Sequence, residues 1–168
     1  DEFDSTVSKK EVENFSEIDS SKKKLKIGIA KEVIQSSGLN PEIKEYFSEL
    51  IAKLKSEGHE VQEFGFPYME YMVPTYYVLT TAEASSNLSR YDGVHFGYRS
   101  LNATDIESTY VLSRTEGFGE EVKRRIMLGT FVLSSGYHDE YFTKAQKIRR
   151  LIQDKTNEMF EDYDFVIS

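Results

Sequence analysis

The sequence predicts an α/β fold in a single domain, since a chain of 168 residues suits one domain. A strand–helix–strand pattern occupies residues 24–66. Two helical segments with a single apolar stripe lie between residues 120 and 160, and an apolar run at 164–168 is typical of a strand buried in a parallel sheet. These three patterns together favour helices packed against a sheet of parallel strands.

The first unit is a strand, a helix and a second strand. Residues 24–30 alternate apolar side chains with polar or small ones at the two-residue period of a strand, and residues 59–66 return to this alternation. Between them Asn40 is suited to cap a helix, Pro41 to occupy its first position and Gly58 to end it. The apolar side chains of this helix share one face: Ile43, Tyr46, Phe47, Leu50, Ile51 and Leu54. A unit of this length, about 40 residues, predicts a right-handed crossover between parallel strands.

The middle of the chain is predicted to form a helix and then a long loop. Pro74 is expected to open a helix that runs from residue 75 to about residue 90. Its small side chains would let another element approach closely: Ala82, Ala84, Ser85, Ser86 and Ser89. Residues 91–113 are predicted to form a loop, with turns at Gly93 and Gly97.

Two helices and a strand complete the predicted fold. The helix over about 120–134 is expected to bury four positions, Val122, Ile126, Gly129 and Leu133. The helix over about 139–160 has one apolar stripe, formed by Tyr141, Ala145, Ile148, Ile152 and Met159. Residues 164–168 are then expected to add a strand to the sheet.

The two ends of the chain differ from the body. Residues 1–23 are predicted to be a polar leader or linker, because they are rich in Ser, Asp, Glu and Lys and lack a sustained period, whereas residues 24–168 form the α/β segment. The chain begins with Asp1 rather than Met and ends inside the predicted last strand. We therefore expect a piece of a longer protein, truncated at both ends.

Composition and charge exclude several classes of function. The net charge of −8 would repel a phosphate backbone, so direct binding of nucleic acid by this chain is not expected. Without cysteine there is no disulfide, thiolate metal site or thiol nucleophile, and the scattered His59, His95 and His138 suggest no zinc cluster, so no metal site is expected. No apolar run approaches the roughly 20 residues that cross a bilayer, and no secretory signal is visible, so we expect a soluble, cytoplasmic protein.

Arg125 is the strongest candidate for binding chemistry. On a helical wheel of about 100° per residue it borders the apolar stripe that contains Ile126 and Gly129. A guanidinium held there needs an anionic partner, and its planar fork matches a carboxylate in two hydrogen bonds. That partner is a structural Asp or Glu in one interpretation and a substrate carboxylate in the other.

A second polar set lies on the helix that follows Pro74. Its members recur at helical spacing along one face: Tyr76, Thr80, Glu83, Asn87 and Arg90. The face is either solvated, with Glu83 merely satisfying Asn87 or Arg90, or part of a site. No role is assigned to Glu83, Asn87 or Arg90 beyond fixing this helix against the core.

Two short stretches resemble known motifs only in part. Gly117-Phe-Gly119 lacks the Lys-Ser/Thr ending of a P-loop and the third glycine of a dinucleotide fingerprint, so nucleotide binding by this chain is not expected. Ser85-Ser86 and His138-Asp139 do not stand in the strand–turn–helix form of a nucleophile elbow. These residues predict no Ser-His-Asp triad.

Several longer motifs carry a family resemblance. The most specific are Pro-Thr-Tyr-Tyr-Val at 74–78, Glu-Ala-Ser-Ser-Asn-Leu at 83–88, Phe-Gly-Tyr-Arg at 96–99, Lys-Arg-Arg-Ile at 123–126 and Leu-Ser-Ser-Gly-Tyr at 133–137. With them the chain resembles the A subunits of the aspartyl/glutamyl-tRNA amidotransferases, within the amidase signature family. The resemblance covers nearly the whole chain, and Asp-Glu-Phe-Asp-Ser-Thr at 1–6 is similar to the segment just after the amidase signature proper.

The resemblance implies a fold and an activity. The fold would be part of an α/β/α sandwich with a mixed central sheet, and the enzyme would release ammonia from glutamine with a Ser-cis-Ser-Lys triad. A B subunit, using ATP and Mg, would pass this ammonia to misacylated Glu-tRNA(Gln) or Asp-tRNA(Asn), while a C subunit would brace the pair. No Gly-Gly-Ser-Ser-rich stretch with the catalytic serines stands in this sequence. The triad is therefore expected upstream, and the chain alone is predicted to be inactive.

Two residues match the substrate pocket of the family position by position. Arg125, the second arginine of Lys-Arg-Arg-Ile, matches the arginine that binds the α-carboxylate of glutamine. Tyr76, the first tyrosine of Tyr-Tyr-Val, matches a tyrosine of the same pocket. Two other functions stay open: a stand-alone amidase that acts on another carboxamide, and a module without catalysis that only binds a partner.

Overall fold

A parallel sheet lies at the centre of the fold. The computed structural model describes residues 3–12, 14, 16 and 24–168. Within this part of the chain three strands, β1 (Lys26–Ala30), β2 (Glu60–Phe64) and β3 (Phe165–Ile167), form one sheet in the order β2-β1-β3. Both pairings are parallel, and Ile27 of β1 lies opposite Val61 on one side and Phe165 on the other. The predicted α/β class is confirmed, and the antiparallel pairing of a mixed sheet is not among the strands described.

Helices make up most of the remaining chain. In chain order they are α1 (Lys31–Ile34), α2 (Pro41–Ser56), α3 (Met69–Leu88), α4 (Ile106–Gly117), α5 (Glu120–Leu133) and α6 (Lys144–Asp162), with a π-helical turn at Asp139–Thr143 directly before α6. The structure describes residues 3–12, 14 and 16 of the predicted leader at 1–23 but not residues 17–23, so the boundary between the leader and the α/β segment stays a prediction.

The predicted strand–helix–strand unit is confirmed by local detail. The side chain of Asn40 caps α2, with its Oδ1 accepting a hydrogen bond of 2.8 Å from the backbone N–H of Glu42. Gly58 follows α2 with a φ of 94°, a left-handed conformation that glycine adopts without steric cost. The chain then enters β2 parallel to β1, as the length of the crossover requires.

The start of α3 corrects the sequence prediction. The helix begins at Met69, so Pro74 lies inside it rather than at its opening. Proline lacks the N–H that would bond to the carbonyl of Glu70, which costs the helix one hydrogen bond near its first turns. Packing of α3 against α5 and α6 outweighs this local preference.

A helix stands where the sequence predicts a loop. Residues 106–117 form α4, which overlaps the second half of the loop expected over 91–113. Its start is a capping box: Asp105 Oδ1 accepts from the N–H of Ser108 at 2.7 Å, and Ser108 Oγ accepts from the N–H of Asp105 at 3.0 Å. Polar cap residues of this kind are equally common in loops, so their presence does not distinguish the two. The turns predicted at Gly93 and Gly97 are confirmed, with φ values of 79° and 85°.

The last two helices are close to their predicted ranges. In α5 the predicted Gly129 is buried, but Val122, Ile126 and Leu133 are only half-buried, and the fully buried apolar side chain is Val132. The helix predicted over 139–160 begins with a π-helical turn before α6 takes over. The closing strand β3 is present as predicted.

The helices α3 and α5 cross at very close range. A Cβ atom added to Gly129 would overlap the backbone carbonyl of Thr81 and lie 2.6 Å from the Cβ of Ser85. Beside it the hydroxyls of Ser85 and Thr130 share a hydrogen bond of 3.0 Å. Of the small residues predicted for α3, Ser85 therefore lies at this crossing, which fixes where the two helices face each other, whereas Ser86 and Ser89 are exposed.

Candidate functional site

Tyr76 and Arg125 are brought together across the crossing of α3 and α5. Tyr76 lies in the N-terminal half of α3, and Arg125 lies one helical turn N-terminal to Gly129 on α5. The guanidinium carbon of Arg125 is 6.0 Å from the ring centroid of Tyr77, and the rings of Tyr76 and Tyr77 meet edge to face at 5.4 Å. The structure thus joins the two residues that the family resemblance singled out.

The anionic partner of Arg125 lies on its own helix. Its Nε donates to Oε1 of Glu121 at 3.0 Å, the spacing of neighbours one turn apart on an α-helix. The Arg125 side chain keeps 38% of its surface exposed. The hydrogen bond to Glu121, and next the one to the hydroxyl oxygen of Tyr76, raise the pKa of Arg125 above its ordinary value. The guanidinium is therefore charged and partly open to solvent.

Glu121 binds two arginines at once. Its Oε2 accepts from Nη1 of Arg124 at 2.5 Å, while Oε1 takes the bond from Arg125. The hydrogen bond from Arg125 is the largest cause that lowers the pKa of Glu121, so the carboxylate stays ionised. Two guanidinium groups and one carboxylate leave this cluster with a net positive charge, a setting that attracts an anion.

Of the second polar set, Tyr76 lies at this site, whereas Glu83, Asn87 and Arg90 do not join it. Glu83 and Asn87 are exposed and satisfy each other, with Nδ2 of Asn87 donating to Oε1 of Glu83 at 2.9 Å. Arg90 is exposed and lies past the end of α3. Of the two interpretations, the solvated face in which Glu83 satisfies Asn87 is the one that the structure supports.

Arg114 joins two elements through contacts that the sequence does not predict. From α4 its Nη1 donates to two carbonyl oxygens at the end of α3, those of Leu88 and Tyr91, both at 2.9 Å. Its guanidinium carbon lies 5.0 Å from the ring centroid of Phe118. A basic side chain that satisfies the last carbonyls of a helix is a common C-terminal cap, but here it comes from another helix, which no local pattern announces.

Glu116 orders the loop between α3 and α4. It accepts hydrogen bonds from Tyr98 Oη at 2.7 Å, from Ser100 Oγ at 3.0 Å and from Asn102 Nδ2 at 3.4 Å. These bonds, that from Tyr98 first, lower the pKa of Glu116, and the same contact raises the pKa of Tyr98. The loop is thereby tied to α4 and, through Arg114, to the end of α3.

An apolar cleft lies away from the Tyr76–Arg125 pair. A cleft of about 510 Å³ opens at the carboxyl ends of the strands and is lined mainly by apolar side chains, among them Ala30, Phe64, Phe66, Met72, Met159 and Phe160. It contains neither Tyr76 nor Arg125. Because Thr156 and Ser168 are the polar residues among those that line it and neither is charged, its size alone does not make it the site of chemistry.

Neither a metal-binding cluster nor a membrane-spanning helix is found among the residues that the structure describes. Among these residues, no cluster of three or more His, Asp or Glu side chains is placed to hold a metal ion. None of the helices described has both the length and the apolar character needed to cross a membrane.

Comparison with known proteins places these features in a family. The chain is 52% identical over its whole length to the A subunit of the glutamyl-tRNA(Gln) amidotransferase of Fusobacterium nucleatum subsp. nucleatum and 49% identical over 99% of its length to that of Latilactobacillus sakei subsp. sakei. It covers 34% of each of these proteins, so the chain spans about a third of the length of the curated relatives it matches.

A solved structure agrees with the sequence matches. The crystal structure of the A subunit of glutamyl-tRNA(Gln) amidotransferase from Thermotoga maritima aligns with a TM-score of 0.55 at 35% identity, over 86% of this chain and 26% of that one. The sequence also matches the family described as Amidase over residues 1–168. The chain carrying the Tyr76–Arg125 pair on its crossed helices therefore belongs to the amidase family.

Proposed function

We propose that this chain is part of the A subunit of a glutamyl-tRNA(Gln) amidotransferase and supplies one wall of its glutamine pocket. The observation that carries the proposal is the charged, partly exposed guanidinium of Arg125 beside Tyr76. The identity to the A subunits of such amidotransferases along the whole chain supports the same assignment.

In this proposal Arg125 binds the α-carboxylate of glutamine. Its planar fork presents paired N–H groups that match the two oxygens of a carboxylate. The hydroxyl of Tyr76 provides a second polar contact at the same end of the substrate, and the ring of Tyr77 supports the guanidinium by a cation–π contact. These contacts hold the substrate in position while the carboxamide reacts at its other end.

The bond-breaking residues are proposed to lie in the part of the protein that precedes this chain. There the lysine of a Ser-cis-Ser-Lys triad would take the proton of the serine hydroxyl, the serine would attack the carboxamide carbon, and the proton would pass to the leaving nitrogen so that ammonia departs. Water would then hydrolyse the acyl-enzyme to glutamate and free serine. The chain by itself is then inactive as a glutaminase. Purified chain that releases ammonia steadily from glutamine would show that the active site has been misplaced.

The ammonia is proposed to serve a partner. A B subunit that uses ATP and Mg would transfer it to Glu-tRNA(Gln) or Asp-tRNA(Asn) in the cytoplasm and would make most of the tRNA contacts, while a C subunit braces the pair. The net charge of −8 on this chain agrees with a division in which another subunit holds the phosphate backbone.

The test separates substrate binding from folding. In the complete enzyme Arg125→Ala should lower kcat/KM for glutamine on the order of 100-fold, since a charge-assisted contact is lost, and Arg125→Lys should recover only part of it. Amidation with added ammonium salt should stay near the unmutated rate, because it bypasses the pocket. Loss of both activities, or of neither, would remove Arg125 from substrate binding.

A further inference from the structure

The carboxylate of Glu121 contacts only one edge of the Arg125 guanidinium. The bond runs from Nε to Oε1 at 3.0 Å, and the other oxygen of Glu121 is engaged by Arg124. In the part of the chain that the structure describes, Glu121 is the one carboxylate paired with Arg125. A guanidinium has one N–H on Nε and two on each terminal nitrogen. Glu121 therefore leaves the four terminal N–H groups of Arg125 for other partners. The hydroxyl of Tyr76 interacts with the same guanidinium, and the remaining N–H groups are available for a ligand.

The arrangement also limits how Arg125 can turn. An arginine side chain has many rotamers, and each one frozen on binding costs entropy. Here Glu121, one helical turn N-terminal to Arg125, binds the Nε edge of the guanidinium. The ring centroid of Tyr77 lies 6.0 Å from the guanidinium carbon. A guanidinium held at one edge loses less freedom when a substrate carboxylate binds the other edge.

The net charge around Arg125 does not oppose the binding of a substrate carboxylate. A single glutamate facing a single arginine would neutralise the site, but Glu121 shares its charge between Arg124 and Arg125. The neighbouring Glu120 pairs with Lys123 at 2.9 Å and is balanced by it. The positive charge that remains therefore belongs to the Arg124–Glu121–Arg125 cluster and favours an incoming carboxylate.

We propose that Glu121 is a positioning residue for substrate binding: it holds the Nε edge of Arg125 so that the terminal nitrogens face the α-carboxylate of glutamine. This role rests on the proposed function of Arg125. It differs from a purely structural ion pair, which would stabilise α5 without affecting the substrate. It also differs from competition, in which Glu121 would occupy the place of the substrate carboxylate.

The experiment uses the complete amidotransferase with four substitutions, Glu121→Ala, Glu121→Gln, Glu120→Ala and Glu120→Gln. Glu120 is the matched control, because it too lies in the first turn of α5 and pairs with a basic residue of that helix. Both glutamates therefore lie within the first turn, where the helix dipole favours a negative charge. The readouts are KM and kcat with glutamine, the rate with ammonium salt, and the thermal midpoint.

Glu121→Ala should raise KM for glutamine by roughly fivefold or more while the rate with ammonium salt stays unchanged, since a misplaced binding group weakens substrate binding without unfolding the enzyme. Glu121→Gln should recover much of the loss, because its amide oxygen still accepts from Nε. Both Glu120 variants should keep the unmutated KM.

Three results would overturn the role of Glu121. A lower KM in Glu121→Ala would mean that Glu121 competes with the substrate. Equal effects at positions 120 and 121 would mean a contribution of the helix terminus only. An unchanged KM in Glu121→Ala, with a large loss in Arg125→Ala, would reject the positioning role alone, whereas an unaffected Arg125→Ala variant would reject the proposed function itself.

Discussion

In the sheet, the buried residues of β1 are Ile27, Ile29 and Ala30 together with Gly28, where an added Cβ would meet side-chain atoms of Phe64 and Tyr163 at 3.0 Å. On the crossed helices α3 and α5 the buried residues include Thr81, Gly129 and Val132, and a Cβ added to Gly129 would meet the backbone of Thr81. The sheet gains stability by removing large apolar side chains from water. The crossing depends instead on the absence of side-chain atoms, because its backbones approach where a Cβ has no room. Substitutions that remove side-chain atoms should therefore destabilise the sheet most, and substitutions that add atoms should destabilise the crossing most. The candidate site lies at the crossing.

The largest effect is expected at the crossing. Gly129→Val would place side-chain atoms on the Thr81 carbonyl and the Ser85 Cβ, so the helices must separate. We expect a loss of about 4 kcal/mol in unfolding free energy, together with reduced use of glutamine as Arg125 moves from Tyr76. Denaturant unfolding of the full-length protein would measure it. Gly136→Ala is the control, since a Cβ there meets nothing within 4 Å; equal stability of the two variants would refute the close-approach argument.

The next effect tests the sheet by removing atoms. Ile29 is 1% exposed in the central strand β1, and Ile29→Ala would leave a cavity on the face of the sheet that its side chain covers. A loss of about 3 kcal/mol is expected, and Ile29→Val should cost about 1 kcal/mol. The KM of the still-folded enzyme for glutamine should not change, because Tyr76 and Arg125 lie outside the sheet. A changed KM at full folding would show that the two regions are coupled.

A smaller effect is expected where α4 holds the end of α3. Arg114→Ala removes the side-chain donor to the carbonyl of Tyr91 and one of the two donors to the carbonyl of Leu88, which also accepts from the N–H of Tyr91. This loss should cost about 2 kcal/mol in unfolding free energy. Arg150→Ala is the matched control, because Arg150 pairs with Asp154 on the exposed surface of α6. Thermal unfolding of both variants would measure the difference. Equal midpoints would show that the Arg114 bonds contribute nothing beyond a surface pair.

The smallest effect depends on pH. Hydrogen bonds from Tyr98 and Ser100 lower the pKa of Glu116 in the folded chain from its ordinary value of 4.5. The resulting stability is present above pH 4.5 and is lost as the pH falls through the lowered pKa. Glu116→Gln, which cannot ionise, should therefore differ most from the unmutated protein near pH 6 and approach it in acid. Thermal midpoints measured across this range would check the trend; a constant difference would contradict it.

Local signals account for the elements that the sequence predicted well. Asn40, Pro41 and Gly58 act within a few residues of themselves, and β1 and β2 are short alternating runs. The two misjudged regions have a different physical origin. Proline is normally disfavoured inside a helix, but Pro74 lies inside α3 because packing outweighs one lost hydrogen bond. The helix α4 begins at a capping box whose polar residues resemble those of a loop.

Arg125 shows what the helical wheel and the family resemblance could provide. The wheel predicts its side chain at the border of the buried stripe, where the structure has it half-exposed. The sequence left two partners for Arg125 open, a structural carboxylate and a substrate carboxylate, and the arrangement has room for both. Glu121 is bound at Nε, and terminal N–H groups remain for the proposed substrate. No wheel of a single helix includes Tyr76 or Tyr77, which come from α3.

The sequence by itself determined the α/β class, the strand–helix–strand unit, the approximate ranges of α2, α5 and α6 and the candidacy of Arg125, because periodicity, caps and turns act between residues close in the chain. Only the tertiary structure decided that Gly129 meets Thr81, that Tyr76 and Tyr77 lie beside Arg125, and that Arg114 caps a helix other than its own. Those contacts join residues far apart in the chain. Their geometry follows from how closely two helices can pack, which no short stretch of either helix contains.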